Sequence, residues 1–259
     1  MAQAAFDPLL QVLDRFAEAG RTATLWWRDD DACAPSPALD RLLALAAAQG
    51  VPVSLAAVPA QCGPALAERL QNEAGNVAVF QHGYAHQNHG ASGARKIELG
   101  PQRPAQVVIG ELATGWLRLE TLFGARAQPV LVPPWNRLAP FLVPVLPELG
   151  YRGLSQFGPR LRSMPVQQLV QVNCHVDPID WRGSRGFVGD SAAVAATCAH
   201  LALRLQADAN SAVAEEPTGL MSHHAVHDEA GWRFIERLLA VTKSPPAVRW
   251  LDAREAFGR

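Results

Sequence analysis

The sequence predicts an α/β fold, an irregular (β/α) barrel of seven to eight parallel strands. Two observations support this fold class. Short apolar runs alternate with helical patterns almost throughout, and polar clusters follow several of the apolar runs. No repeat or low-complexity linker divides the 259 residues, which suffice for one large core. We therefore expect a single domain over 1–259, with its functional groups at the C-terminal ends of the strands.

Eight short apolar runs are predicted to be strands. They lie at 23–28, 52–58, 76–81, 129–132, 151–156, 169–176, 218–222 and 247–251. The helical patterns between most of them are typical of βαβ units that build a parallel sheet. The connection 157–168 is too short and too rich in proline for a crossover helix, so we do not expect the barrel to close regularly there.

Six stretches between the strands carry a helical pattern. They cover 37–49, 64–74, 103–123, 138–149, 190–208 and 229–242. Ser36-Pro37 and Gly189-Asp190 are typical helix starts, and Asp228 is a predicted N-cap. Residues 1–22 are predicted to form an N-terminal helix that packs on the barrel, because one face of it carries Phe6, Leu9, Leu10, Leu13, Phe16 and Ala17.

Composition and charge exclude several classes of protein. The formal net charge of −1 gives no support for a nucleic-acid-binding surface or a basic membrane anchor. No segment approaches the roughly 18 apolar residues that would span a bilayer. The N-terminal segment lacks a secretory pattern, and the four cysteines are scattered without a CxxC pair, as in proteins of a reducing compartment. We therefore expect a cytoplasmic protein without a nucleic-acid or membrane partner.

Polar clusters follow four of the predicted strands. Asp29-Asp30-Asp31 follows the first strand, His82-Gly83-Tyr84-Ala85-His86 the third, Asp177-Pro178-Ile179-Asp180-Trp181 the sixth, and His223-His224 the seventh. Because the C-terminal ends of parallel strands meet at one face of an α/β fold, these clusters are expected to lie close together. Several aspartates and histidines that meet in this way are typical of metal-dependent hydrolases.

The His82 and His86 pair is a candidate metal site. Two imidazoles four residues apart can share one ion if the chain turns helically, although a polar loop with unrelated histidines is the alternative. The three aspartates at 29–31 would repel one another unless Arg28, Arg137 or a divalent cation neutralises them; an Asx-rich turn or helix cap is the alternative here. One carboxylate and two imidazoles suit zinc, and also Co, Ni, Mn or Fe(II).

In the order and spacing of these motifs, the chain resembles the polysaccharide deacetylase superfamily, carbohydrate esterase family four and its relatives. A strand of that family ends in two aspartates, a general base and then a metal ligand, which Asp30 and Asp31 match. A following His-Ser/Thr-x-x-His motif supplies two metal ligands, which His82 and His86 match. The resemblance thus implies one divalent metal on Asp31, His82 and His86. Gly83 stands at the hydroxyl position, so we expect that a hydrogen bond tying this loop is lost.

The third family motif, Arg-x-Pro-aromatic, is matched by Val132-Pro133-Pro134-Trp135. The backbone N–H of Trp135 corresponds to the group that stabilises an oxyanion in the family. Val132 stands where the family has an arginine that supports the catalytic aspartate. We hypothesise that Arg28 or Arg137 takes the place of that arginine.

Two further motifs resemble those of the family. Asp177-Pro178-Ile179-Asp180-Trp181 matches the fourth, with Trp181 lining a groove, and Leu220-Met221-Ser222-His223 matches the fifth. The resemblance implies Asp30 as the base and His223 as the acid, while Asp29 and His224 remain the alternatives. The residues expected to contact substrate or to support the catalytic groups are Arg28, Asp29, Pro134, Arg137, Asp177, Asp180, Trp181 and His224.

The implied activity is metal-dependent removal of an acetyl or other acyl group from a carbohydrate or a related amide or ester. Asp30 would accept a proton from water, Trp135 N–H would face the oxyanion, and His223 would protonate the leaving group. The partner would then be a small-molecule or glycan substrate. A non-catalytic metal- or glycan-binding protein on the same scaffold is the alternative, favoured by Val132 and Gly83. A phosphoesterase is a third candidate.

Overall fold

The computed structural model describes residues 4–73 and 76–258, and the strands of this part form one parallel sheet. The strands are β1 (Ala23–Ala32), β2 (Val53–Ala57), β3 (Val77–His82), β4 (Ala127–Val132), β5 (Gly153–Leu154), β6 (Val170–Gln171), β7 (Thr218–Ser222) and β8 (Val248–Trp250). Their order is β6-β5-β4-β3-β2-β1-β7, and every neighbouring pair is parallel. The predicted irregular (β/α) barrel is confirmed, with a strand at each of the eight predicted positions.

The two ends of this sheet approach each other through the chain that follows β6. Val176 forms a parallel bridge with Leu220, and the Met221 amide donates to the Val176 carbonyl at 2.8 Å. The eighth strand does not take part in this ring, because β8 pairs only with Ala23, Thr24 and Leu25 at the start of β1. No helix lies within 157–168, as its length and prolines predicted. The connection without a crossover helix is therefore the predicted one, but the two ends of the sheet meet only after β6, through Val176 and Leu220.

Seven α-helices surround the sheet in the described part of the chain. They are α1 (Asp7–Glu18), α2 (Pro37–Gln49), α3 (Pro64–Gln71), α4 (Ala105–Phe123), α5 (Asp190–Gln206), α6 (Glu229–Lys243) and α7 (Ala253–Ala256). The predicted caps are present, since Ser36 accepts from Leu39 N–H and Asp228 from Gly231 N–H. The predicted helix at 138–149 is wrong: only a 3₁₀ turn over Pro140–Val145 forms there. Pro144, inside that segment, has no N–H for a helical hydrogen bond.

The N-terminal helix packs on the outside of the barrel. Leu9, Leu13 and Phe16 of α1 are buried, and Phe6 stacks on Phe234 of α6 with ring centroids 5.8 Å apart. Residues 1–3 of the predicted segment lie outside the described residues. Across the residues that are described, no helix is both long and apolar enough to cross a membrane.

The inward-facing side chains of β1 are apolar at the N-terminal end of the barrel and polar at its C-terminal end. Trp26 points into the barrel and packs against Phe80 and Phe257, with ring centroids 6.4 and 5.8 Å away. Trp27 points outward and joins the core formed with the helices. Because successive side chains of a strand face opposite sides, the next two inward positions are Arg28 and Asp30. The cluster of Trp26, Phe80 and Phe257 therefore fills the N-terminal end of the barrel, and the polar groups lie at its C-terminal end.

Candidate active site

A break in the pairing of β1 brings two consecutive carboxylates into one cavity. The register of β1 against β2 shifts between Asp29 and Ala32, and Asp31 has a left-handed φ of 73°. In a regular strand Asp30 and Asp31 would point to opposite faces, yet both line the cavity. Aspartate tolerates the left-handed region better than most residues. This bulge therefore places the side chains of Asp30 and Asp31 in the same cavity, where they can have different roles.

Asp31, His82 and His86 meet at the floor of the cavity, and we call them the cavity triad. Asp31 Oδ1 lies 3.2 Å from His82 Nε2 and 3.3 Å from His86 Nε2. One ligand atom from each residue falls within 4.8 Å of the others. A tetrahedral ion with bonds of about 2.0–2.1 Å would hold its ligand atoms about 3.3 Å apart. The spacing of these atoms therefore fits one divalent cation.

The tautomer of His82 also fits a cation. Its Nδ1 lies 3.0 Å from the Val132 carbonyl oxygen, which can only accept, so Nδ1 carries the hydrogen. Nε2 then has a lone pair that faces an oxygen of Asp31, and two acceptors at that distance require a proton or metal between them. Burial would lower the pKa of His82, but the hydrogen bond with Asp31 raises it overall.

The charge of Asp31 is strongly stabilised in the same place. Burial would raise the pKa of Asp31, but the hydrogen bond and charge of His82, followed by the charges of His223 and His86, hold it well below its ordinary value. The pKa of His86 is lowered by burial and then by the charge of His82. The set therefore offers an ionised carboxylate and a neutral imidazole, which are the forms that bind metals.

Arg28 holds Asp30 beside the cavity triad. Both side chains are buried, and Arg28 Nε and Nη2 donate to the two carboxylate oxygens at 2.8 and 3.0 Å. The same guanidinium donates to Ser155 Oγ at 2.6 Å and to Asn136 Oδ1 at 2.8 Å. Burial would lower the pKa of Arg28, but the charge of Asp30 raises it overall. Arg137 instead donates to the Lys96 carbonyl oxygen. Of the two arginines considered, only Arg28 contacts Asp30.

Asp29 and His224 lie on the other side of the sheet. Asp29 is buried, and its carboxylate accepts from Ser222 Oγ at 2.6 Å and from the His224 amide at 3.0 Å. His224 Nδ1 also bonds to Asp29, and neither residue lines the cavity. Burial would lower the pKa of His224, but the charge of Asp29 raises it overall. The structure thus places Asp30 and His223, rather than these alternatives, at the cavity.

His223 lies across the cavity from the bulge, beside Trp181. The two rings are 4.8 Å apart in an edge-to-face arrangement, and Trp181 Nε1 donates to Asp177 Oδ2 at 2.7 Å. His223 Nδ1 is buried and has no hydrogen-bond partner among the described residues. Its backbone N–H donates to His227 Nε2 at 3.1 Å. Burial raises the pKa of Asp177, which also lines the cavity.

Like Arg28, Asp29 and His224, the expected residues Asp180 and Pro134 do not line the cavity. Asp180 accepts hydrogen bonds from the Gly183 and Ser184 amides, at 2.9 and 3.1 Å, and so orders the loop that carries Trp181. Pro134 is buried beneath the cavity triad loop, where its Cγ lies 2.5 Å from the position that a side chain on Gly83 would occupy. Trp135 does line the cavity, and its ring packs on His86 with centroids 4.5 Å apart.

Glu98 is a residue of this site that the motifs did not indicate. Its buried carboxylate accepts from the backbone amides of Tyr84, Ala85 and Gln87 at 3.0, 2.8 and 3.2 Å. A Cβ on Gly83 would lie 2.0 Å from Glu98 Oε2. Gly83 has no side chain that could tie this loop, as expected, and Glu98 instead holds the loop through these three amides. The available signal was that Glu98 is the only acid between 82 and 102.

The cavity above these residues has a volume of about 960 Å³. No protein-family model and no curated protein matches the chain. A Mycobacterium smegmatis protein assigned as a polysaccharide deacetylase aligns with a TM-score of 0.65 at 14% identity, over 92% of this chain and 90% of that one. The Puue allantoinase aligns with a TM-score of 0.63 at 14% identity, over 92% and 90%.

A family 4 acetyl xylan esterase from Clostridium thermocellum, solved with a cobalt ion, aligns with a TM-score of 0.52 at 14% identity, over 91% of this chain and 90% of that one. The chain has the fold of the polysaccharide deacetylase superfamily. The resemblance read from the sequence motifs is thus confirmed at the level of the fold. In this fold the cavity triad lies at the C-terminal ends of β1 and β3, where α/β proteins build their sites.

Proposed function

We propose that the protein is a metal-dependent hydrolase that removes an acetyl or other acyl group from a carbohydrate or a related amide or ester. The observation that carries this proposal is the cavity triad, in which a carboxylate faces two imidazole nitrogens at metal-ligand spacing. The fold shared with deacetylases, an allantoinase and an esterase supports hydrolysis of an acyl bond. Fold alone does not define a reaction, so the roles of individual residues must carry the argument.

In this proposal Asp31, His82 and His86 hold one divalent ion, zinc in the first place and otherwise Co, Ni, Mn or Fe(II). When bound, such an ion polarises a carbonyl group and lowers the pKa of water towards about 7. Asp30 accepts the proton of the attacking water. Its two oxygens are held by Arg28, but each retains a further lone pair for this purpose. The two hydrogen bonds from Arg28 fix the orientation of the Asp30 carboxylate, which general-base catalysis requires.

The other side of the cavity supplies the acid and the oxyanion donor. His223 donates a proton to the departing amine or alcohol, and its packing against Trp181 fixes the plane of its ring. The Trp135 backbone N–H stabilises the negative charge that develops on the acyl oxygen. Trp135 and Trp181 also offer ring faces on which a sugar can stack. The products are acetate, or another acid, and a free amine or hydroxyl group.

The proposed function is tested by turnover of acetylated chitooligomers and aryl acetates, with protein that has been stripped of metal and then loaded with zinc or cobalt. We expect metal to restore activity, and Asp30→Asn to lower kcat by about 10²–10⁴-fold while leaving the bound metal at one ion per chain. Asp14→Asn, on the exposed face of α1, is the matched control. Full turnover by metal-loaded Asp30→Asn would exclude Asp30 as the base.

A metal-binding protein without turnover on any of these acylated compounds would instead support the non-catalytic alternative.

A second experiment tests whether Arg28 or Arg137 supports Asp30. Charge reversal at Arg28 should lower turnover, because Arg28 contacts Asp30, whereas Arg137→Glu leaves this contact in place. Circular dichroism and thermal unfolding of each variant separate loss of function from loss of fold, which matters for Arg28 because it is fully buried.

A further inference from the structure

The mouth of the cavity carries four cations, which we call the cationic rim. Lys96 and Arg137 line the cavity beside Trp135, and Arg182 and Arg185 line it beside Trp181, which gives two cationic walls. The acidic residues that line the cavity are Asp30, Asp31 and Asp177. The formal net charge of the whole chain is only −1, so this concentration of positive charge is a local feature of the cavity and does not follow from composition.

In the described part of the chain, the rim cations have no acidic partner of their own. Among the described residues, none of the four lies within ion-pair distance of a carboxylate, whereas Arg28, Arg41, Arg69, Arg103 and Arg249 all do. The acids of the cavity are already engaged by Arg28, by the cavity-triad histidines, and by the indole of Trp181. The charge that remains available to a ligand at the mouth is therefore positive.

In both walls of the rim, contacts with neighbouring residues hold the cations in place. Lys96 Nζ lies 5.9 Å from the ring centroid of Trp135, and Arg185 Cζ lies 5.9 Å from that of Trp181. On the second wall, the Arg185 amide donates to the Asp180 carbonyl at 2.9 Å, and Ile179 pairs with Phe187 across the turn. Each wall thus presents a cation over an aromatic face, held on ordered backbone.

We infer that the substrate carries an anionic group, a carboxylate or a phosphate, in addition to the acyl group that is removed. The acyl group lies at the cavity triad, and the anionic group lies at the mouth between the two walls. The cavity volume of about 960 Å³ accommodates a ligand of this two-part kind. This inference rests on the proposed function for the identity of the acyl end, but the recognition of the anion rests on the rim alone.

The first test is selectivity between matched esters. Metal-loaded protein is assayed on methyl 4-acetoxybenzoate, which is neutral, and on 4-acetoxybenzoate and 4-acetoxyphenyl phosphate, which are anionic. We expect the ratio of anionic to neutral kcat/KM to fall about five- to tenfold in Arg182→Gln/Arg185→Gln, and to fall with added salt in the wild type. The control Arg162→Gln/Arg233→Gln removes two exposed cations that do not line the cavity, and should keep the wild-type ratio.

The second test measures binding without turnover. Calorimetric titration compares 4-hydroxybenzoate and 4-hydroxyphenyl phosphate with methyl 4-hydroxybenzoate, and the anion with the larger rim-dependent affinity identifies the group that is recognised. Rim-dependent anion binding without hydrolysis of any ester or of the acetylated chitooligomers would support the inference and overturn the proposed function. Hydrolysis of all the esters with a ratio that is equal in the wild type, the rim variant and the control would overturn the inference and leave the proposed function standing.

Discussion

The cavity triad has a counterpart elsewhere in the molecule with the same residue types and opposite surroundings. His175, His200 and Glu216, which we call the buried triad, also place two imidazoles against one carboxylate. Glu216 Oε2 lies 3.4 Å from His175 Nε2 and 3.8 Å from His200 Nε2, and the two rings stack with centroids 3.3 Å apart. All three residues are buried, whereas the cavity triad opens to a cavity of about 960 Å³.

One histidine of each triad shows a clear difference, in the backbone group that lies against its Nδ1. The Gly219 N–H donates to His175 Nδ1 at 3.0 Å, so the neutral ring carries its hydrogen on Nε2 and directs it at Glu216. In His82 the partner of Nδ1 is a carbonyl oxygen, and Nε2 keeps its lone pair. A metal needs that lone pair. Residue types and spacing alone therefore do not distinguish the two triads, whereas the hydrogen bonds at Nδ1 of His82 and of His175 do.

Electrostatics agree with a structural role for the buried triad. Burial would raise the pKa of Glu216, but the neighbouring imidazoles of His175 and His200 lower it to about 2. Burial lowers the pKa of His200 to about 4. The carboxylate is thus charged between neutral imidazoles, and it also accepts from the backbone amides of Arg160 and Asn173 at 2.9 and 3.0 Å. Glu216 links three segments of the chain through these bonds.

The largest expected effect is the loss of metal binding on substitution of the cavity triad. His82→Ala and Asp31→Ala should each lower zinc affinity at least about 100-fold, because each removes a ligand that the site cannot replace, and turnover should fall with it. Titration with zinc under a competing chelator gives the affinity, and elemental analysis gives the stoichiometry. The buried-triad variant Glu216→Gln is the comparison protein. Retention of a tightly bound ion by His82→Ala would contradict the assignment of this triad.

The second prediction concerns stability at the buried triad. Glu216→Gln should lower the free energy of unfolding by about 3–5 kcal/mol, because a buried charge and its partners lose their match. The neighbouring Glu215→Gln changes an exposed acid and should shift stability by less than about 0.5 kcal/mol. Urea unfolding of both variants measures the difference. Loss of bound zinc from folded Glu216→Gln would show that the buried triad holds the metal.

The third prediction is a dependence of stability on pH. The folded-state pKa of His200 is about 4 and its ordinary value is 6.5, so the unfolded chain binds the proton first on acidification. The contribution of neutral His200 is present above pH 6.5 and is lost as the pH falls to about 4, amounting to about 3 kcal/mol. Unfolding measured across this window should have a shallower pH slope in His200→Gln than in the wild type. An unchanged slope would contradict neutral burial of His200.

The strand ends could be predicted from the sequence, because periodicity and turn residues are local. Each of the eight predicted strands forms, and the clusters that follow β1, β3, β6 and β7 reach one cavity. The choice between Asp29 and Asp30 could not be made, because the face of a strand depends on its register in the sheet. The bulge at Asp31 has the same cause, since it is a property of the pairing with β2.

The supporting residues were harder to predict than the ligands. Arg28 and Arg137 were equal candidates to support Asp30 until the fold turned Arg28 into the barrel. Glu98 lies 12 residues beyond His86, in an irregular loop where no periodicity reports side-chain direction. Its role follows from the space beside Gly83, which only the folded chain defines. Residues that act through other residues leave weaker patterns than residues that bind a ligand directly.

The smallest expected effect is a change in zinc affinity on substitution of Glu98. Glu98 supports the cavity triad from a neighbouring loop, whereas Glu216 is itself a member of the buried triad. Glu98→Gln should lower zinc affinity about 10–100-fold, because an amide cannot accept all three hydrogen bonds of the His86 loop. Glu120→Gln, exposed on α4, is the control. Zinc affinity is measured together with hydrogen exchange of the Tyr84, Ala85 and Gln87 amides, which should exchange faster only in Glu98→Gln.

The same contact can be tested from its other side. Gly83 has a φ of 56°, and a Cβ there would lie 2.0 Å from Glu98 Oε2, so Gly83→Ala should displace the carboxylate and also strain the backbone. If Glu98 acts through the loop, adding Glu98→Gln to Gly83→Ala should cost less zinc affinity than it costs alone, since the carboxylate has already been displaced. Strictly additive losses would mean that Glu98 and Gly83 influence His86 independently, and the parallel with Glu216 would then fail.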